Sequence, residues 1–172
     1  MPPLEAYLDL VAAWGRRANL TGARTPAARV RVLVEPVLPA APLIAKGRLI
    51  DVGSGNGSPG LVLALLRRDI EVVLLEPRLK RWSFLREAAR AVARAGLEVL
   101  RLRHEEYPGP PAETVTVRAL KARLADLARL VSPGGAVLVF GGDAPAEPPF
   151  VAEGAVPLVR GRLQRFRRER ST

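Results

Sequence analysis

Two acids and a glycine turn carry the chemistry of this chain. Residues Leu49 to Gly60 read L-I-D-V-G-S-G-N-G-S-P-G. An apolar strand ends in Asp51, glycines follow at Gly53, Gly55 and Gly57, and an apolar run from Leu61 to Leu66 opens a helix. Glycines lack a Cβ and let backbone and ligand approach closely, and free amides at a helix start favour a polar or anionic group. Twenty-three residues after Gly53, a second apolar strand, Val72 to Leu75, ends in Glu76. In a βαβ unit an acid at that spacing lies beside the glycine loop, where it can accept from both hydroxyls of a ribose. The expected chemistry is the binding of a nucleoside cofactor.

Two cofactors compete for this motif. Gly55, Gly57 and Gly60 satisfy G-x-G-x-x-G, and Glu76 falls near the distance expected of a dinucleotide fold. Three features favour S-adenosylmethionine instead. Asp51 precedes the first glycine by two residues, a D-x-G-x-G arrangement that sets an acid near a cationic amino-acid moiety. Pro59 removes an amide that a pyrophosphate cradle would use. At 172 residues the chain is also short for a dinucleotide domain plus a substrate domain. A purely structural βα turn would leave Asp51 and Glu76 without a role.

Composition narrows the classes further. A hydrophobic fraction of 48% suits one globular domain with a sizeable core. The longest unbroken apolar run is six residues, so no membrane span is expected. Acids rather than bases populate the first ten residues, which argues against an export signal and for the cytoplasm. With no cysteine and the single histidine His104, no metal site is expected. The net charge of +10 is carried mainly by arginine, whose planar fork suits phosphate oxygens. Arg160, Arg162, Arg165, Arg167, Arg168 and Arg170 crowd the end of the chain against Glu169, and Arg16, Arg17, Arg24, Arg29 and Arg31 mark the beginning. The partner expected from this distribution is a nucleic acid.

The elements that must position these residues follow from periodicity. Leu4, Tyr7, Leu8, Val11 and Trp14 form a helical apolar stripe, and Pro26 to Val34 reads as a short helix stopped by Pro36. Strands are expected at Leu49–Val52, Glu71–Leu75, Leu97–Leu102, Thr114–Val117 and Ala136–Phe140, with helices starting near Pro59, Leu79 and Ala119. The last of these helices should run to Val131 and end at S-P-G-G. Such alternation predicts an α/β fold with a parallel, doubly covered sheet and ligands at the strand C-terminal ends. After Gly142 the chain turns proline-rich, then offers strands at Ala155–Val159 and Arg162–Arg167 as an antiparallel hairpin.

Beyond the glycine motif, W-G-R-R-A-N-L-T at Trp14–Thr21, L-K-R-W-S-F-L-R-E at Leu79–Glu87, R-H-E-E-Y at Arg103–Tyr107, V-R-A-L at Val117–Leu120 and P-G-G at Pro133–Gly135 occur in order. This set resembles the bacterial small-subunit ribosomal RNA guanine-N7 methyltransferases of the RsmG or GidB type, from about Tyr7 to Gly142. The resemblance implies a Rossmann-like class I S-adenosylmethionine-dependent methyltransferase. Its central, mostly parallel sheet would carry helices on both faces and a short N-terminal helical extension. One domain is implied, with the extension at 1–47, the cofactor-binding core at 48–142 and a basic hairpin at 143–172.

By resemblance, Gly53 and Ser58 line the methionine and ribose side of the cofactor and Glu76 holds the ribose, while Asp51 and Gly55 complete the expected cofactor-binding set. His104 and Glu105 flank the adenine, and Arg118 stands at the mouth, reaching cofactor and substrate. Lys80, Arg31 and Arg165 are the further substrate contacts, and the implied partner is 16S ribosomal RNA or the small-subunit particle, met by a monomer. The chain departs from the family pattern at Val32, where histidine is usual, at Glu35 for aspartate and at Pro36 for serine. Ser58 stands for an aromatic or leucine, and Gly141 for lysine.

Missing residue types restrict the reaction. Methylation of a pyrimidine C5 uses a cysteine nucleophile, which this chain lacks. An exocyclic amine is usually served by an N/D-P-P-Y/F loop after the fourth strand, and that place reads R-A-L-K. Guanine N7 carries an exposed lone pair and needs only positioning. A small-molecule methyltransferase and a non-catalytic RNA-binding or cofactor-sensing relative are the alternative readings.

Overall fold

The computed structural model describes residues 2–119 and 123–170. Seven strands form one sheet: β1 (Gly47–Val52), β2 (Ile70–Leu75), β3 (Leu97–Leu100), β4 (Ala112–Arg118), β5 (Val131–Gly141), β6 (Phe150–Pro157) and β7 (Arg162–Arg168). Their order is β3-β2-β1-β4-β5-β7-β6. The first five run parallel, and β7 pairs antiparallel with both β5 and β6. The order reverses beside β1, so the crevice beyond Val52 and Arg118 is the topological switch point at which such sheets bind ligands.

Period-two alternation divides the core between the two faces. Leu49, Val72 and Leu74 point into one cluster, with the helices α1 (Pro2–Trp14), α3 (Gly60–Leu66) and α4 (Leu79–Val92). Ile50, Val73 and Leu75 point into the other, with Leu124, Leu127 and Leu130. Helix α4 buries Phe84, Leu85, Ala88 and Val92 on one stripe and stops at Ala93, whose φ is 47°. Helix α2 (Pro26–Leu33) begins where Thr25 accepts the Ala28 amide at 3.1 Å, with Pro26 in the first turn, where no amide is needed.

Four expectations change. The first strand of the final hairpin, expected at Ala155–Val159, runs from Phe150 to Pro157. Residues 120–122 of the helix expected at Ala119–Val131 lie outside the described residues. The described remainder is a 3-10 helix, Leu124–Leu130, and Ala119 bends with φ 53°. Strand β5 starts at Val131, five residues early, because S-P-G-G is absorbed as an irregularity: Val131 pairs with Ala112 before the register shifts to Ala136 on Thr114. The α-helices α1, α3 and α4 therefore share one face, and the 3-10 segment packs on the other, in one cluster with Phe150 of β6 and Phe166 of β7. Pro36 does not end helical structure, since a 3-10 stretch runs from Glu35 to Leu43. That winding tolerates Pro39 and Pro42, and it delivers the chain to β1.

Candidate cofactor and RNA site

The loop after β1 is built on backbone amides and two buried acids. Glu76 is 3% exposed. It accepts the Gly55 amide on one carboxylate oxygen and the Arg78 amide on the other, both at 2.9 Å. The two bonds fix the carboxylate across the loop, and each oxygen keeps a lone pair for a hydroxyl donor. The Ser54 amide donates to the Leu75 carbonyl at 2.9 Å, tying the loop to the end of β2. Gly53 is exposed with φ 68°, and a Cβ there would meet no atom within 4 Å. Open space before a left-handed glycine, flanked by a buried carboxylate, is the room a nucleoside cofactor needs.

Asp51 is 1% exposed and one strand inward. One carboxylate oxygen accepts the Thr116 hydroxyl at 2.6 Å, and the other is buried with no well-aligned donor. Burial pushes its pKa up to about 6, opposed first by the Thr116 hydrogen bond and then by Ser54 and the Arg118 charge. Gly60 must be glycine here, because a Cβ would stand 2.5 Å from the Asp51 carboxylate. An acid this buried, with an oxygen unpaired, suits a cationic ligand group.

Arg118 ends β4 in the same crevice. Its guanidinium lies 5.8 Å from the centre of the Phe140 ring, and a long hydrogen bond of 3.5 Å reaches the Val32 carbonyl at the end of α2. Burial lowers its pKa, and the Asp51 charge opposes that effect. Arg118 thus meets the backbone of α2 at Val32.

Tyr7 is the residue that sequence reasoning missed. It reads as one member of an apolar stripe, yet its fully buried hydroxyl donates to the Asn56 carbonyl at 2.8 Å. Burial raises its pKa, so it stays protonated and keeps donating. The Asn56 side chain donates to the Leu20 carbonyl at 2.9 Å and accepts the Ser58 amide at 3.0 Å. A phenol in a stripe where leucine would pack equally well was the available signal.

The other expected residues separate into groups. The Ser58 hydroxyl donates to the Leu33 carbonyl at 2.6 Å, so it anchors α2 to the loop. His104 and Glu105 form a 3-10 turn beyond β3, 3.4 Å apart as a pair, with Glu105 exposed. Lys80 is exposed in the first turn of α4, and Arg31 is exposed on α2 beside Val32. Arg165 is not brought to this edge. It pairs with Leu138 in mid-sheet and lies 3.3 Å from Glu153. Arg167 and Arg168 are likewise strung along β7: Arg167 meets Glu153 at 2.6 Å, and Arg168 donates to the carbonyls of Ala128 and Val131. Arg29, in the N-terminal set, is buried against the Arg24 carbonyl. A cavity of about 670 Å³ at the opposite sheet edge is lined by Arg48, Glu71 and Glu113. These already bond one another, which leaves little there for a ligand.

Comparison with known proteins agrees with this geometry. Residues 1–153 match the GidB family model, described as rRNA small subunit methyltransferase G. A protein named ribosomal RNA small subunit methyltransferase G from Xanthomonas campestris pv. campestris (strain B100) is 36% identical over 149 residues, covering 84% of this chain and 70% of that one. One of the same name from Methylobacillus flagellatus is 37% identical over 148 residues, covering 84% and 72%. Among solved structures, an RNA methyltransferase from Salinibacter ruber in complex with S-adenosyl-L-homocysteine superposes with a TM-score of 0.63. It shares 20% identity and the match covers 79% of this chain and 90% of that one, a likeness of fold.

Proposed function

Because the chain belongs to the rRNA small subunit methyltransferase G family, we propose that it methylates N7 of a guanine in 16S ribosomal RNA. S-adenosylmethionine is its methyl donor and small-subunit ribosomal RNA its substrate. The bound donor supplies an electrophilic methyl group on a cationic sulfur. The residues suited to hold it are Glu76 for the ribose hydroxyls, Asp51 for the ammonium, and Gly53 and Gly55 for close backbone approach. His104 and Glu105, beyond β3, are placed to border the base.

The observation that carries N7 is the condition of the titratable groups at the crevice. Asp51 takes the Thr116 hydroxyl, Tyr7 is held protonated and donates to a carbonyl, and Arg118 is a cation. With the free Asp51 oxygen given to the donor's ammonium, none of the three is left to take a proton from the substrate, and N7 requires none, since its lone pair is free at neutral pH. Catalysis is then alignment of the ring nitrogen with the methyl group, with water excluded. Arg118 would grip a phosphate or the guanine O6, because a hydrogen bond to N7 itself would block attack.

A metal has no part in this scheme, since transfer from sulfur to a ring nitrogen moves no charge that demands one. No described helix is long and apolar enough to cross a membrane. Five large apolar side chains are exposed among the described residues, too few for an extended apolar interface. That supports a monomer, and ribosomal RNA as the substrate supports work in the cytoplasm. The test is incubation with S-adenosylmethionine and unmethylated 16S RNA, then nuclease digestion and mass spectrometry. 7-Methylguanosine at one site is expected; a methyl group on another atom would refute the N7 assignment.

A further inference from the structure

The cations of this protein differ in what they face. Several along the opposite edge and the strand bodies are engaged: Arg48 with Glu71 at 3.0 Å, Arg67 with Asp69 at 2.8 Å, Arg165 and Arg167 with Glu153. At the crevice edge, Arg31 and Arg160 are exposed, and neither has an ion-pair partner among the described residues. Each adjoins an exposed valine, Val32 at 44% and Val159 at 81%.

The two pairs flank Arg118. Val32 accepts its guanidinium from the α2 side. On the other side, β7 runs antiparallel to β5 with Arg162 level with Gly141, which brings the β6–β7 turn to the same edge. That turn is closed by the Leu158 amide on the Gly161 carbonyl at 3.1 Å. Gly161 has φ 75° and packs so tightly on Gly141 that a Cβ would collide with its backbone. Gly141 in turn faces the Ala119 amide, next to Arg118. The turn is therefore held in place beside the crevice. It lies beyond residue 153, where the family match ends, so family membership assigns it nothing.

We propose that Arg31–Val32 on α2 and Val159–Arg160 on the β6–β7 turn form two jaws across the crevice mouth that grip an unpaired segment of RNA. The arginines take phosphates, and the valines meet the faces of unstacked bases. A paired helix buries its base faces and would offer the valines nothing, which is why the segment must be unpaired. This inference rests on ribosomal RNA being the substrate.

The test uses the full chain with S-adenosylhomocysteine, a single-stranded RNA oligonucleotide and its duplex, with binding followed by fluorescence anisotropy over a salt series. Arg31→Glu and Arg160→Glu should each weaken single-strand binding about tenfold and reduce the salt slope by about one unit. Val159→Ser should weaken the single strand and spare the duplex. S-adenosylmethionine affinity should not change in any variant. Arg68→Glu, at the opposite edge, should bind RNA as the wild type does. Unchanged binding in Arg160→Glu, or an equal loss in Arg68→Glu, overturns the jaws. Methylation of 16S RNA by the wild type is measured alongside: activity with indifferent jaw variants refutes the jaws alone. Inactivity with sensitive variants refutes the proposed function alone.

Discussion

Asp51→Asn offers a quantitative test of the crevice, because it removes a charge that burial opposes and preserves the shape. The Asp51 pKa rises from 3.8 to about 6 in the fold. A folded-state value above the unfolded one means that the native chain binds more protons between these limits. Stability therefore falls as pH rises from about 4 to 6 and is level beyond, and the shift corresponds to about 3 kcal/mol. Asparagine keeps an acceptor for Thr116 but sets an amide donor where the unpaired oxygen lay, at a cost of about 1 kcal/mol. The variant should be less stable than the wild type by about 1 kcal/mol at pH 4, and more stable by about 2 kcal/mol at pH 8. Urea unfolding at stepped pH measures both. A wild-type-minus-variant difference that is the same at pH 4 and pH 8 would refute the argument. Saturating S-adenosylmethionine should flatten the wild-type profile, because its ammonium draws the Asp51 pKa down, and calorimetry should show the variant binding it at least tenfold more weakly.

Glu76→Ala removes the ribose acceptor and frees the Gly55 and Arg78 amides, so S-adenosylmethionine affinity should fall by about 1–3 kcal/mol in calorimetry. Tyr7→Phe deletes only the hydroxyl bonded to the Asn56 carbonyl; it should cost about 1 kcal/mol in urea unfolding and raise the KM for the cofactor more than it lowers kcat. Arg118→Lys keeps the charge but loses the fork, and should cut single-turnover methylation at least tenfold while the melting temperature moves by less than about 4 °C.

What the sequence revealed and what it concealed follow from the range of the interactions. Asp51, the glycine loop, α3 and Glu76 are readable because a βαβ unit fits inside a short window, and period and spacing determine it. The five parallel strands and the final hairpin were legible for the same reason. The engagement of Tyr7 with Asn56 spans 49 residues, and that of Asn56 with Leu20 spans 36, so no local pattern announces either. The arginine tail looked like one basic cluster in one dimension. Pairing with β5 spreads it along a strand, leaving the β6–β7 turn at the crevice and Arg165 with Glu153 in mid-sheet. The leucines after Arg118 fit a full helix equally well, and S-P-G-G is compatible with a strand irregularity.

The hydrogen bonds from Tyr7, Asn56 and Ser58 tie the loop to α1, to the Leu20 carbonyl and to the end of α2. During synthesis those helices emerge before the loop and the sheet on which they dock. The loop emerges next but cannot take its final shape until the parallel sheet beneath it closes, a slow step for non-local pairings. Competence to bind the cofactor is thus acquired late and all together. A fragment confined to 48–142 would contain every acid and glycine of the motif and still lack the scaffold that shapes them.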